Sequence, residues 1–185
     1  MRIIAGMRKG LKLSAPDGMD TRPTTDRVKE SLFNIIQMHL PAERVLDLFA
    51  GSAALGIEAL SRHSQYCVFV EHNRDAYNTA LKNIAAAKFR DISELKFSDS
   101  LSYLDTNPAP FDIIFLDPPY NKGLLRVALD KISKGHLLKD DGIIVVETEK
   151  GGESGEHPSF EIHKCVSYGK TVITILKNSA LIGEI

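Results

Sequence analysis

Val45-Leu-Asp-Leu-Phe-Ala-Gly51-Ser-Ala-Ala-Leu-Gly56 reads as a strand, a tight loop and the start of a helix. It nearly matches the dinucleotide fingerprint G-x-G-x-x-G, with Ala53 standing at the middle position. The middle glycine of that fingerprint lets the backbone approach a pyrophosphate. A ligand without phosphates relaxes the requirement. Asp47, placed before the turn, would repel a diphosphate and attract an ammonium group. Outward from this segment the chain alternates strand and helix. Strands are expected at 44–49, 66–71, 95–98, 111–117 and 143–147, and helices at 54–63, 74–88, 101–105 and 124–134. Near-continuous apolar runs separated by helices indicate a parallel sheet covered on both faces. The ending differs: 160–168 and 170–176 are two strands joined at Gly169 without a helix between them, an antiparallel hairpin at one edge.

Two further acids follow at strand ends. Glu71 lies twenty residues past Gly51, where an acid accepts from both hydroxyls of a ribose. Asp99 follows the third strand and is placed to accept from an adenine amino group. Each could instead be a helix N-cap. The three acids in series with the glycine loop point to a nucleoside carrying a cationic amino-acid tail. S-adenosylmethionine (SAM) is such a ligand.

The fourth strand runs into Asp117-Pro118-Pro119-Tyr120. Two prolines cannot continue a central strand, because neither can donate to the ladder. A carboxylate, a free carbonyl and an aromatic ring are thereby presented at the edge where open α/β sheets bind ligands. Such a set suits a planar amine.

Bulk properties set limits. With 185 residues, 43% hydrophobic and 25% charged, the chain is sized for one globular domain. No apolar run reaches the ~18–20 residues of a membrane span, and the N-terminus lacks a secretory h-region, so a cytoplasmic location is expected. Cys67 and Cys165 both lie in apolar runs and read as reduced small hydrophobes. The six histidines show no ligand spacing, so no metal site is expected. Net charge is −1, yet the first twelve residues carry four bases (Arg2, Arg8, Lys9, Lys12) and no acid. Residues 140–161 carry seven acids against Lys150. This asymmetry fits a nucleic-acid arm on a neutral body, or a solvated basic ribbon. The organisation expected is a basic β-ribbon in 1–22, a helix in 23–40 with the stripe Val28, Leu32, Ile35 and Ile36, and a core in 44–177.

The order and spacing of these motifs resemble Rossmann-like SAM-dependent amino-methyltransferases. More narrowly, Arg2-Ile-Ile-Ala-Gly6, Arg22-Pro-Thr-Thr-Asp-Arg27, the glycine loop and the 111–120 segment resemble the RsmD family, bacterial 16S rRNA (guanine-N2)-methyltransferases. The resemblance implies a class I methyltransferase sheet, mostly parallel, with an antiparallel C-terminal edge hairpin, helices on both faces and a short N-terminal β-ribbon. It implies SAM as cofactor and S-adenosylhomocysteine as product, held by Asp47, Phe49, Gly51, Ser52, Ala53, Gly56, Glu71, His72, Asp99 and Ser100. Catalysis falls to Asp117, Pro118 and Tyr120. Contacts with 16S rRNA fall to Arg2, Arg8, Lys9, Lys12, Arg22, Thr24, Arg27 and Pro119. The implied substrate is that RNA within the small subunit or an assembly intermediate, and the implied enzyme is a monomer. Most relatives carry glycine where this chain has Ala53, so an added Cβ is expected to crowd the cofactor if the position has positive φ. Three other readings stay open: an amino-methyltransferase of DNA or of protein glutamine, a SAM-binding module without catalysis, and a dehydrogenase. Asp47, Ala53 and the antiparallel hairpin disfavour the last.

Overall fold

The apolar runs become the strands of one seven-stranded sheet in the computed structural model, which describes residues 1–16, 26–119, 123–153 and 155–179. Strands β1 (Arg44–Asp47), β2 (Tyr66–Glu71), β3 (Ser93–Phe97), β4 (Phe111–Leu116) and β5 (Leu138–Glu149) are parallel. Strands β6 (Phe160–Tyr168) and β7 (Thr171–Asn178) form the antiparallel hairpin, in the order β3-β2-β1-β4-β5-β7-β6. The order reverses between β1 and β4, and the crevice above their C-terminal ends is the expected ligand position.

Helices α1 (Asp26–Ile35), α2 (Ala54–Ser61) and α3 (Arg74–Ala87) cover one face, burying Leu32, Phe33, Ile57, Leu60 and Ile84 against Val45, Ile113 and Val145. Helices α4 (Ser100–Asp105) and α5 (Leu124–Lys134) cover the other, burying Leu104, Leu125, Leu129 and Ile132 against Leu46, Ile114 and Ile144. Strand residues alternate between the two clusters, as a period of two requires. No helix among the described residues is long and apolar enough to cross a membrane.

The expected N-terminal ribbon is present as a short antiparallel one, while other expectations need correction. It has one bridge, Arg2 with Lys12, a few backbone bonds such as Ile3 N–H to the Leu11 carbonyl (2.9 Å), and a 3-10 turn at Gly6–Arg8. It lies so flat on α2 that a Cβ at Gly6 would fall 1.8 Å from the Ser61 carbonyl oxygen. The helix expected over 23–40 spans Asp26–Ile35 among the described residues, with 23–25 outside them, and it gives way to a 3-10 turn at Gln37–His39 before residue 40. Its buried side includes Lys29. Cys67 is buried, whereas Cys165 is exposed on β6, the outermost strand.

Lys29 on the buried side of α1 was not anticipated from the sequence. Its side chain and that of Glu58 on α2 are both fully buried, 3.3 Å apart. Lys29 Nζ also donates to the Arg2 carbonyl at 2.6 Å. Glu58 accepts from the Ile4 and Ala5 N–H groups (2.8 and 3.0 Å) and from Arg62 Nε (2.9 Å). Burial pulls the Lys29 ammonium below its ordinary range, against the opposing pull of Glu58. One carboxylate thus joins the ribbon, α1 and α2. Removing one partner of a buried pair strands the other, which typically costs about 3–5 kcal/mol. Glu58→Ala is therefore expected to lower unfolding free energy by about that amount in urea titrations; a loss below about 1 kcal/mol would contradict the assignment.

Candidate cofactor and substrate site

The loop after β1 is held from both sides. Its Ala50 N–H donates to the Val70 carbonyl (3.0 Å), and the Gly51 N–H donates to Glu71 Oε2 (2.8 Å). Asn83 on α3 donates to the Ser52 carbonyl (2.9 Å) and exchanges two bonds with Ser14 of the N-terminal segment, each 2.9 Å. A Cβ at Gly56 would lie 2.3 Å from the Phe69 ring and 2.7 Å from the Cys67 sulfur. That glycine serves close helix–strand packing, as the third glycine of the fingerprint does.

Ala53 does adopt positive φ, at 66°. For an L-residue this costs roughly 1–2 kcal/mol. Its methyl is fully buried in the core cluster with α1 and α2, which returns ~0.8 kcal/mol. The Cβ therefore sits in the core, and the expectation that it crowds a ligand is corrected.

Each predicted acid also serves the fold. Asp47 is buried (3% exposed) and accepts from the Gly56 N–H at 3.0 Å. Glu71 is buried, and its second oxygen accepts from the Asn73 N–H (2.7 Å). Asp99 is exposed and caps α4 by accepting from the Ser102 N–H (2.8 Å). That bond, outweighing partial burial, holds its carboxyl below the usual range. Ser100 is buried and donates to the Leu48 carbonyl (2.7 Å), while Phe49 is half-buried at the crevice floor and His72 is exposed beside Glu71. Loop, Glu71 and Asp99 thus line consecutive strand ends β1, β2 and β3.

On the other side of the switch point, Asp117 is half-buried, Pro118 buried and Pro119 exposed. Tyr120, Arg22 and Thr24 lie outside the described residues. One residue went unnoticed in the sequence: Glu147, two residues before the end of β5, 4% exposed. Register aligns Leu116 with Val146, the residues just before Asp117 and Glu147. Burial, then the charges of Glu147 and Asp47, push the Asp117 carboxyl well above its ordinary range. An acid closing the apolar run 143–146, one strand over from Asp117, was the signal available.

The basic residues separate into two kinds. Arg8 Nε donates to the Ala87 carbonyl (2.7 Å) at the α3 C-terminus, and its guanidinium lies 5.6 Å from the Phe89 ring centre. Arg2 pairs with Asp26 at 3.1 Å. Lys9, Lys12 and Arg27 are exposed.

Burial raises the Asp47 carboxyl from its ordinary 3.8 to about 7, opposed by the Gly56 bond and reinforced by Glu71. Between those values the folded protein holds a proton that the unfolded chain has released. Stability without ligand therefore falls as pH rises through that window, by on the order of 4 kcal/mol for complete titration. Asp47→Asn keeps an acceptor for Gly56 and removes the titration. Calorimetry of the ligand-free variant at about pH 8 should give a higher melting temperature than wild type; a lower one would contradict this.

The comparisons with known proteins agree with this architecture. Residues 1–177 match the family described as Conserved hypothetical protein 95. YlbH of Bacillus subtilis (strain 168) is 39% identical over 181 residues, covering 96% of this chain and 98% of its own. Ribosomal RNA small subunit methyltransferase D of Escherichia coli (strain K12) is 39% identical over 149 residues, 80% of this chain and 75% of its own. The solved E. coli chain yhhF superposes with a TM-score of 0.86 at 35% identity, covering 97% of this chain and 98% of that one. With its sheet order and its strand–loop–helix start, the chain has the Rossmann-like methyltransferase fold and belongs to the RsmD family of methyltransferases.

Proposed function

We propose that the protein transfers a methyl group from SAM to the exocyclic N2 amine of a guanine in small-subunit (16S) ribosomal RNA. In this reading it acts as a cytoplasmic monomer on the small subunit or an assembly intermediate. The observation that carries the proposal is Asp117-Pro118 at the switch point beside the glycine loop. The chain is also 39% identical to a protein named Ribosomal RNA small subunit methyltransferase D.

The donor set suits SAM. Asp47, Glu71 and Asp117 bring carboxylates to the crevice, two of them raised by burial. A ligand bearing ammonium and sulfonium charge relieves that cost, whereas a diphosphate would add to it. Asp47 would receive the ammonium group, Glu71 the ribose hydroxyls and Asp99 the adenine amine, with Phe49, Ser52, His72 and Ser100 around them. When bound, SAM supplies an electrophilic methyl carbon and leaves as S-adenosylhomocysteine.

A guanine N2 amine is a weak nucleophile, because its lone pair is delocalised into the ring. The Asp117 carboxylate and the Pro118 carbonyl would accept its two N–H bonds and favour the pyramidal form, with the lone pair free. Holding the amine in line, at about 3–3.5 Å from its target, supplies the larger part of the acceleration. Asp117 is also the group to take the proton the amine releases, once a bound cation has returned it to the ionised form. By its place in the motif, Tyr120 would stack on the flipped-out base, worth ~1–3 kcal/mol. Lys9 and Lys12, with Arg22, Thr24, Arg27 and Pro119, would position the RNA. Arg2 and Arg8 are given to the fold first.

Two experiments test this. With labelled SAM and small subunits lacking the modification, wild type should yield N2-methylguanosine on nucleoside mass spectrometry, and Asp117→Ala should lose about 10²-fold or more in rate. Equal rates for the two proteins, or label confined to DNA or protein extract, would overturn the proposal. Replacing Lys9 and Lys12 with alanine should weaken RNA binding and flatten its dependence on salt by about 1–2 in the log–log slope. An unchanged slope would remove these two residues from the RNA contact.

A further inference from the structure

Glu147 has no part in the roles above, yet its placement is specific. The β4–β5 register pairs Ile113 with Ile143, Phe115 with Val145 and Leu116 with Val146, and Asp117 and Glu147 are the next residues along the two segments, close enough for the Glu147 charge to act on Asp117. Adjacent strands lie about 4.8 Å apart. Ile113, Phe115, Ile143 and Val145 all point into the same core cluster. By alternation Asp117 and Glu147 follow them onto that face. On its other side Glu147 is opposite Ile173 of β7, itself buried. A second carboxylate is thus held out of water beside the pair assigned to the amine. Two like charges side by side raise each other's cost of ionisation, which a hydrogen-bond donor placed between them would relieve.

The chemistry of the base supplies one. Guanine presents its ring N1–H directly beside the N2 amine, so its edge offers neighbouring donors. Adenine and cytosine each place a ring acceptor beside their exocyclic amine. An ionised carboxylate is an acceptor only.

We propose that Glu147 accepts the N1–H of the target guanine and is the residue that restricts an otherwise general amine-methylating site to guanine. This rests on the function proposed above and deepens it. Asp117 and Pro118 recognise an amine; Glu147 recognises what stands next to it. With adenine or cytosine in the same position, two acceptors would face each other in a dry site, which such sites reject strongly.

The test uses 2-aminopurine, which keeps the N2 amine and replaces the N1–H with an acceptor. Small-subunit RNA is assembled by splinted ligation with guanine or 2-aminopurine at the methylated position and offered to wild type and to Glu147→Gln. Wild type should prefer guanine by about 10- to 100-fold in kcat/KM, the range for losing a hydrogen bond to a charged group. The glutamine amide can donate as well as accept, so Glu147→Gln should gain on 2-aminopurine and bring the ratio to within about 3-fold. Intrinsic differences between the two amines cancel in this comparison of ratios. A residue serving the fold alone would slow both substrates together and leave the ratio where it was. That unchanged ratio, or a wild type indifferent to the N1–H, would overturn the assignment of Glu147 while leaving guanine methylation standing. Failure of wild type to methylate the guanine RNA at all would overturn both readings.

Discussion

Three carboxylates, Asp47 and Glu147 buried and Asp117 half-buried, gathered near the C-terminal ends of neighbouring parallel strands are the constraint on which the crevice depends. Asp47, Asp117 and Glu147 continue the same alternation that sends Val45, Phe115 and Val145 into the core. Apolar side chains in those rows drive the strands together, and one step further the same geometry forces acids into proximity. The protein offsets part of the cost locally, through the Gly56 N–H at Asp47. The remainder appears as carboxyl groups that release their protons only at raised pH. A crevice in that condition favours ligands that bring positive charge or hydrogen-bond donors. Sheet register and ligand chemistry are therefore linked, while Ala53 is tolerated in the glycine loop because its methyl is buried in the core.

The N-terminal segment depends on a second buried charge. Glu58 holds the backbone of Ile4 and Ala5 and the ammonium of Lys29, while Asn83 links Ser14 to the loop at Ser52. The segment's position relative to the glycine loop is thus set by directional bonds inside the protein. Of its four cations, Arg2 and Arg8 are engaged with Asp26 and the α3 terminus, and the exposed lysines Lys9 and Lys12 are the ones presented to a partner. Charge counting along the chain could not separate these two pairs.

Much of this was legible in the sequence, for identifiable reasons. Strands buried on both faces give unbroken apolar runs, so β1, β2, β4 and β5 stood out, and the spacing from Asp47 to Gly56 located the loop. What escaped depends on contacts between distant parts of the chain. Lys29 falls on the buried side of α1 only because Glu58 is there to meet it. Cys165 lies in an apolar run, but exposure follows from β6 being outermost. Arg8 looked like a surface cation until the α3 terminus arrived against it. Glu147 reads as the polar end of a strand until β5 is registered against β4. The choice of RNA as substrate came from family resemblance, since no local pattern encodes it.

The central claim is that Asp117 and its surroundings serve methylation of a guanine amine in small-subunit ribosomal RNA. The most direct measurement is the nucleoside composition of that RNA from cells whose chromosomal copy carries Asp117→Ala. The account predicts that N2-methylguanosine falls by one residue per ribosome and returns with the wild-type copy. Unchanged N2-methylguanosine, with another methylated nucleoside lost in its place, would contradict it.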